Sequence, residues 1–219
     1  MAAAPVDLDA LLAAAAGLVG HTLGAVAARV GRAPPAGLGK GEVGQLIEAA
    51  LGAPGGSEAG PDFAPLGVEL KTLPVDARGA PRESTFVCHA PLDLRLSAAW
   101  EGSRPQAKLQ QVLWVPVVGE GPVAARRVGA VFLWRPEPDE EDVLRADYEE
   151  IAELVHRGEA RAISARVGRA LQLRPKAADS SGRTWVIDGE GLWAQAQPRG
   201  FYLRRSFTTA LVARRFALM

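Results

Sequence analysis

Apolar residues recur at helical spacing through the first third of the chain. The spacing predicts helices over residues 7–16, over "TLGAVAARVG" ending at Gly31, and over "EVGQLIEAALG" ending at Gly52. In the third of these, Val43, Leu46, Ile47, Ala50 and Leu51 make the apolar face and Glu48 stands at its edge. The period then shortens. "VELKTLPVD" and "STFVCHAPL", separated by the turn "ARGAPRE", read as neighbouring antiparallel strands. "KLQQVLWVPVVG", opening as a helical turn, and "VGAVFLW" supply two more. "PEPDEEDVLRADYEEIAELVHRGEA" returns to helical spacing, with acids in its first turn where the macrodipole favours them and its many carboxylates predicted to form a solvated face. "ALQLRPKAADSSGRT" reads as a strand running into a basic, polar loop and "TWVIDG" as a short strand. "RGFYLRR" reads as a strand leading to a terminal helix capped by Ser206 or Thr208.

At 219 residues and 48% hydrophobic, the chain can bury one sizeable core or two small lobes, and a single domain over 1–219 is expected, with the run of strands giving it a mixed α/β class and a central sheet. A formal net charge of +0 removes any whole-molecule attraction for nucleic acid or membrane, so a polyanion site has to be local. Cys88 is the only cysteine, which excludes an internal disulfide framework and a cysteine zinc cluster and suits a reducing compartment. The opening "MAAAPVDLDALLAAAAGLVG" carries Asp7 and Asp9 and no basic leader, and no apolar run reaches membrane-span length. A soluble, cytoplasmic protein is the expectation.

Lysine stands only at Lys40, Lys71, Lys108 and Lys176, among 25 lysines and arginines together. Such a bias toward arginine draws attention to places where a compact ammonium serves better than a planar guanidinium. One of them lies in "PDFAPLGVELKT", where strand alternation turns Val68 and Leu70 one way and Glu69 and Lys71 the other, with Asp62 just upstream. Two carboxylates beside an ammonium can hold a hard cation next to an anionic substrate, the requirement for phosphodiester cleavage. The same spacing also fits an exposed strand face with a surface ion pair. The segments "RPK" at 174–176 and "RGFYLRR" at 199–205 join cations to aromatic rings that can meet phosphates and base edges, and a charged rim over a core aromatic fits them as well. No P-loop, G-x-S-x-G elbow or H-E-x-x-H motif is present, and His21, His89 and His156 lie far apart. His156 reads as a helix C-terminal cation and His89 as a sheet-edge residue.

Together, "GQLIEAALGA", "DFAPLGVELKT", "ESTFVCHAPL", "KLQQVLW", "LQLRPKAA" and "RGFYLRRSFTTALVARRF" resemble, in order and spacing, the MutH family of methyl-directed mismatch repair endonucleases over roughly residues 15–219. The resemblance implies a restriction-endonuclease-like fold, a mixed central sheet flanked by helices with two arms around a DNA cleft. It implies the use of Mg²⁺, or Mn²⁺ in its place, to nick the unmethylated strand at GATC in duplex DNA, and the chain length suits a monomer with one site. Stimulation by MutL, with MutS upstream, comes with it. By the same resemblance Asp62, Glu69 and Glu48 are the metal-binding acids, Lys71 is the catalytic lysine, and Lys40 and Lys108 serve DNA binding or catalysis. Glu83, Phe86, Arg174, Pro175, Lys176 and Tyr202 match the segments that read the site. The sequence departs from the family at "LDLRLSAAWEGSRPQ" and "DSSGRTWVIDGEGLWAQAQ", and the first fifteen residues match poorly. A restriction enzyme cutting both strands at GATC shares the same core motif, and an inactive DNA- or partner-binding module is the alternative without catalysis.

Overall fold

In the computed structural model the described residues are 3–35, 41–53, 60–176 and 182–217. They form two compact units, each assembled from two stretches of chain: Met1–Arg82 with Gln110–Arg135, and Glu83–Leu109 with Pro136–Met219. Among the described residues no helix is long and apolar enough to cross a membrane.

The first unit opens with the three predicted helices, α1 (Leu8–Ala16), α2 (Leu23–Arg29) and α3 (Glu42–Ala50). Asp7 and Thr22 cap the first two by accepting from the Ala10 and Ala25 amides at 2.8 and 3.1 Å. Their buried residues, Leu11, Leu23, Val26, Leu46 and Ile47, pack with Val68, Leu70, Leu113, Val115 and Val117 in one apolar cluster. Strands β1 (Glu69–Val75) and β3 (Val112–Val118) run parallel, with Glu69 opposite Val112. The predicted strand "VGAVFLW" is broken at Gly129 into β4 (Arg127–Val128) and β5 (Phe132–Trp134), both antiparallel to β3. The result is a mixed four-stranded sheet.

The second unit contains β2 (Thr85–Ala90), α4 (Arg104–Leu109), α5 (Pro138–His156), β6 (Leu171–Pro175), β7 (Thr184–Ile187), β8 (Trp193–Ala196), β9 (Arg199–Leu203) and α6 (Arg205–Ala217). An antiparallel sheet of order β2-β9-β6 packs through Leu171, Leu173, Phe201 and Leu203, all buried, beside the apolar stripe Leu144, Tyr148, Ile151 and Val155 of α5. Strands β7 and β8 form a separate hairpin.

The α/β class agrees with the sequence, whereas the expected pairing of "VELKTLPVD" with "STFVCHAPL" does not occur. Their hairpin starts, with a Val75↔Pro81 bridge and an Arg82 N–H donating to the Pro74 carbonyl at 2.9 Å, and goes no further. Pro74 and Pro81 carry no N–H to extend a ladder there, and β2 pairs with β9 instead. The terminal helix also differs from expectation. It starts at Arg205, and Thr208, inside the first turn, donates its hydroxyl back to the Arg205 carbonyl at 3.1 Å rather than capping.

Candidate functional site

The spacer between Asp62 and Glu69 folds back on itself. The Phe63 N–H donates to the Val68 carbonyl at 2.8 Å and the Val68 N–H returns to Phe63 at 3.3 Å, closing a short 3₁₀ turn over Ala64–Leu66. Gly67 leaves that turn at φ 64°, in the left-handed region that favours glycine. Residues flanking a closed pair are neighbours, so Asp62 arrives beside Glu69, and its Oδ2 accepts from the Leu70 N–H at 2.8 Å.

On β1 the alternation predicted from sequence holds. Leu70 enters the apolar cluster, and Lys71 Nζ donates to Glu69 Oε1 at 2.6 Å. This is not a surface ion pair: the Glu69 side chain is 3% exposed and that of Lys71 12%. Burying charge costs desolvation that a pair seldom recovers as net stability, so a purely structural strand gains little from these residues. Glu48 lies half-buried on α3, which packs against β1. Lys108, buried in the last turn of α4, belongs to the second unit. Lys40 lies outside the described residues.

Among the described residues no three His, Cys, Asp or Glu side chains gather as a ready metal cluster. Mg²⁺ does not require one. It keeps several waters and binds through one or two carboxylates plus substrate phosphate, so the oxygen donors of Asp62 and Glu69 fit its chemistry.

The remaining predicted residues meet on the second unit. Opposed residues in an antiparallel ladder share a face, and Phe86↔Tyr202, Gln172↔Tyr202 and Arg174↔Gly200 are opposed. The face away from α5 therefore carries Phe86, Arg174 and Tyr202 together. Phe86 and Tyr202 meet edge to face with centroids 5.3 Å apart. The Arg174 guanidinium lies 5.7 Å from the Tyr202 ring centroid, and Lys176 Nζ stands 4.2 Å from that of Phe86. Arg174 also donates to the Ser84 hydroxyl at 2.6 Å, next to exposed Glu83, and Pro175 ends β6 exposed. Burial pushes the Tyr202 phenol above its ordinary pKa, with Arg174 opposing and Glu83 adding to the shift.

Two residues of this face escape sequence reasoning. His89 packs edge to face on Phe86 at 5.3 Å, although strand alternation would put residues three apart on opposite faces. A register irregularity between Phe86 and Cys88 turns it over. Gly200 gives the Phe86 ring its seat: a Cβ there would stand 2.7 Å from Phe86 Cε2. In sequence, a glycine directly before Phe201 and Tyr202 is the only sign of such a close approach.

A family described as the DNA mismatch repair enzyme MutH matches residues 51–147. Over 222 residues the chain is 51% identical to the DNA mismatch repair protein MutH of Klebsiella pneumoniae, covering 100% of this chain and 96% of that protein. It is 48% identical over 220 residues to that of Yersinia enterocolitica, covering 99% and 96%. Against the protein of Escherichia coli K12 the figures are 48% over 218 residues, covering 98% and 95%. With half its residues shared along nearly its whole length, and with the acid–lysine strand inside the matched segment, the chain belongs to the MutH family of DNA mismatch repair enzymes.

Proposed function

We propose that the chain is a Mg²⁺-dependent endonuclease that nicks the unmethylated strand of unmethylated or hemimethylated GATC sites during mismatch repair. The observation that carries this reading is the buried Glu69–Lys71 pair at 2.6 Å with Asp62 hydrogen-bonded to the next amide. Asp62 and Glu69, with Glu48 as a further acid, hold the cation, and Mn²⁺ can replace it. Bound there, the ion supplies an acidified water and positive charge at the scissile phosphate. Lys71 keeps its ammonium on the Glu69 carboxylate until substrate enters, then presents N–H donors to the attacking water or the phosphate, where developing charge strengthens the contact. Lys108 and Lys40 add cations for the backbone. Phe86, Glu83, Arg174, Pro175, Lys176 and Tyr202 read the site.

In this proposal residues 1–219 work as one restriction-endonuclease-like nuclease domain, in which the mixed sheet bearing β1 is the central sheet and two arms receive duplex DNA. The protein acts as a monomer in the cytoplasm and answers to MutL, with MutS upstream.

The test uses supercoiled plasmid carrying unmethylated, hemimethylated or methylated GATC with Mg²⁺. Nicked circles from the first two and none from the third are expected. Linear product as the first species would replace the reading by a restriction enzyme, and sequence-specific binding without cleavage would replace it by a binding module. Lys71→Arg should slow nicking by roughly 10²–10³-fold, because a planar guanidinium cannot occupy the place of a compact ammonium.

A further inference from the structure

Gln111 precedes β3 and is 8% exposed. It makes three contacts around the carboxylate site. Its backbone carbonyl accepts from the Glu69 N–H at 2.9 Å. Its side-chain Nε2 donates to the Leu66 carbonyl, in the middle of the Asp62–Glu69 spacer, at 3.2 Å. Its Oε1 accepts from Arg135 Nε at 2.5 Å. We infer that Gln111 is the positioning residue of the metal site: it pins the spacer turn to the strand that carries Glu69 and thereby sets the distance between the two carboxylates.

The chemistry asks for this residue type. One end of the side chain must donate to a carbonyl while the other accepts from a guanidinium, and a primary amide does both. A carboxylate at this position accepts from Arg135 and faces the Leu66 carbonyl with no proton to offer. A thioether does neither well. Arg135 adds to the effect, since a cation bonded to Oε1 polarises the amide and strengthens Nε2 as a donor. The spacer has few other ties of this kind. Its own closure consists of the two Phe63–Val68 bonds and of the Leu66 and Gly67 N–H groups donating to the Phe63 and Ala64 carbonyls at 2.9 and 3.1 Å, and Asp62 adds one bond to Leu70. Phe63 and Val68 anchor the two ends of the spacer in the apolar cluster, and the Gln111 amide adds a polar tie at its midpoint, where a small displacement would change the spacing of the two carboxylates that a water-rich cation requires.

The inference rests on the metal-dependent reading for its consequence in catalysis and not for the geometry, and the experiment separates the two. In metal-free protein, hydrogen exchange of the Phe63, Val68 and Leu70 amides should accelerate ~10-fold or more in both Gln111→Met and Gln111→Glu, with the remaining β1–β3 ladder and the second unit unchanged. In nicking assays the Mg²⁺ concentration for half-maximal rate should rise ~10–100-fold, with most of the rate recovered at saturating Mg²⁺. Unchanged exchange at those three amides in both variants overturns the proposal. So does acceleration spread evenly over the first unit, which marks a merely structural residue, or local acceleration with no shift in the Mg²⁺ dependence. Failure of the wild-type protein to nick at all defeats the metal-dependent reading while the exchange measurement still decides whether Gln111 holds the spacer.

Discussion

At Gly200 an added Cβ would meet Phe86 Cε2 at 2.7 Å and the Cys88 carbonyl oxygen at 2.9 Å, both closer than real contacts allow. Gly200→Ala should therefore lift the Phe86 ring off β9 and disturb its contacts with Tyr202, His89 and Lys176. The expected result is a ~10–100-fold loss of affinity for GATC duplex, with affinity for unrelated duplex retained, read by fluorescence anisotropy on both. Equal losses on the two would mean that Phe86 takes no part in reading sequence. The contrast with the acid–lysine strand shows what single residues disclose. Glu69 and Lys71 could be paired from the sequence because strand alternation is a local rule, and the structure keeps it. Asp62 joins them through a closed loop whose Gly67 was visible and whose closure was not. His89 was hidden because one irregularity in β2 reverses the alternation on which the reading depended.

Helix α5 was legible as an element and misleading in its charges. Its acids were expected to form a solvated face, yet Glu140 and Asp147 are 5% and 3% exposed. Glu140 accepts from the Glu137 N–H at 2.9 Å and pairs with Arg214 of α6. Asp147 accepts from the amides of Arg169, Ala170 and Leu171 at 2.8, 2.6 and 2.8 Å, fixing the start of β6, the strand that ends in Arg174 and Pro175. Periodicity does not distinguish a solvated carboxylate from one collecting backbone amides far along the chain. Asp147→Ala leaves those amides without acceptors and should destabilise the protein by ~3–5 kcal/mol, with Asp147→Asn intermediate because one carbonyl oxygen remains. Chemical denaturation of the three proteins would check the order, and an Asn variant as unstable as Ala would count against the amide nest. Strand pairing was the other element-scale surprise. Pro74 and Pro81 were in plain view, and their missing N–H groups are what stop the expected hairpin.

For the molecule as a whole, global stability should carry a signature at high pH. Burial pushes the Tyr148 phenol up to about 12, while its hydroxyl donates to the Ser97 carbonyl at 2.8 Å. The unfolded chain releases this proton near the ordinary tyrosine value and the folded chain only later. Stability is therefore fully present below pH ~10 and falls as pH rises toward 12, by roughly 2–3 kcal/mol from this group. Tyr202 shifts in the same direction and contributes in any Tyr148 variant as well. Tyr148→Phe should start ~1 kcal/mol lower for want of its hydrogen bond and lose less over the alkaline range. Urea midpoints at pH 9, 10 and 11 would show parallel declines if the assignment were wrong. The division into units has a different consequence. The chain leaves the first unit after Arg82, returns at Gln110 and leaves again after Arg135, so β1 waits for β3. A ribosome has already made Asp62, Glu69 and Lys71 while the strand that seats them is still untranslated. A message broken between the codons for Lys71 and Val112 therefore encodes all three residues without the strand that pairs with the one carrying Glu69 and Lys71.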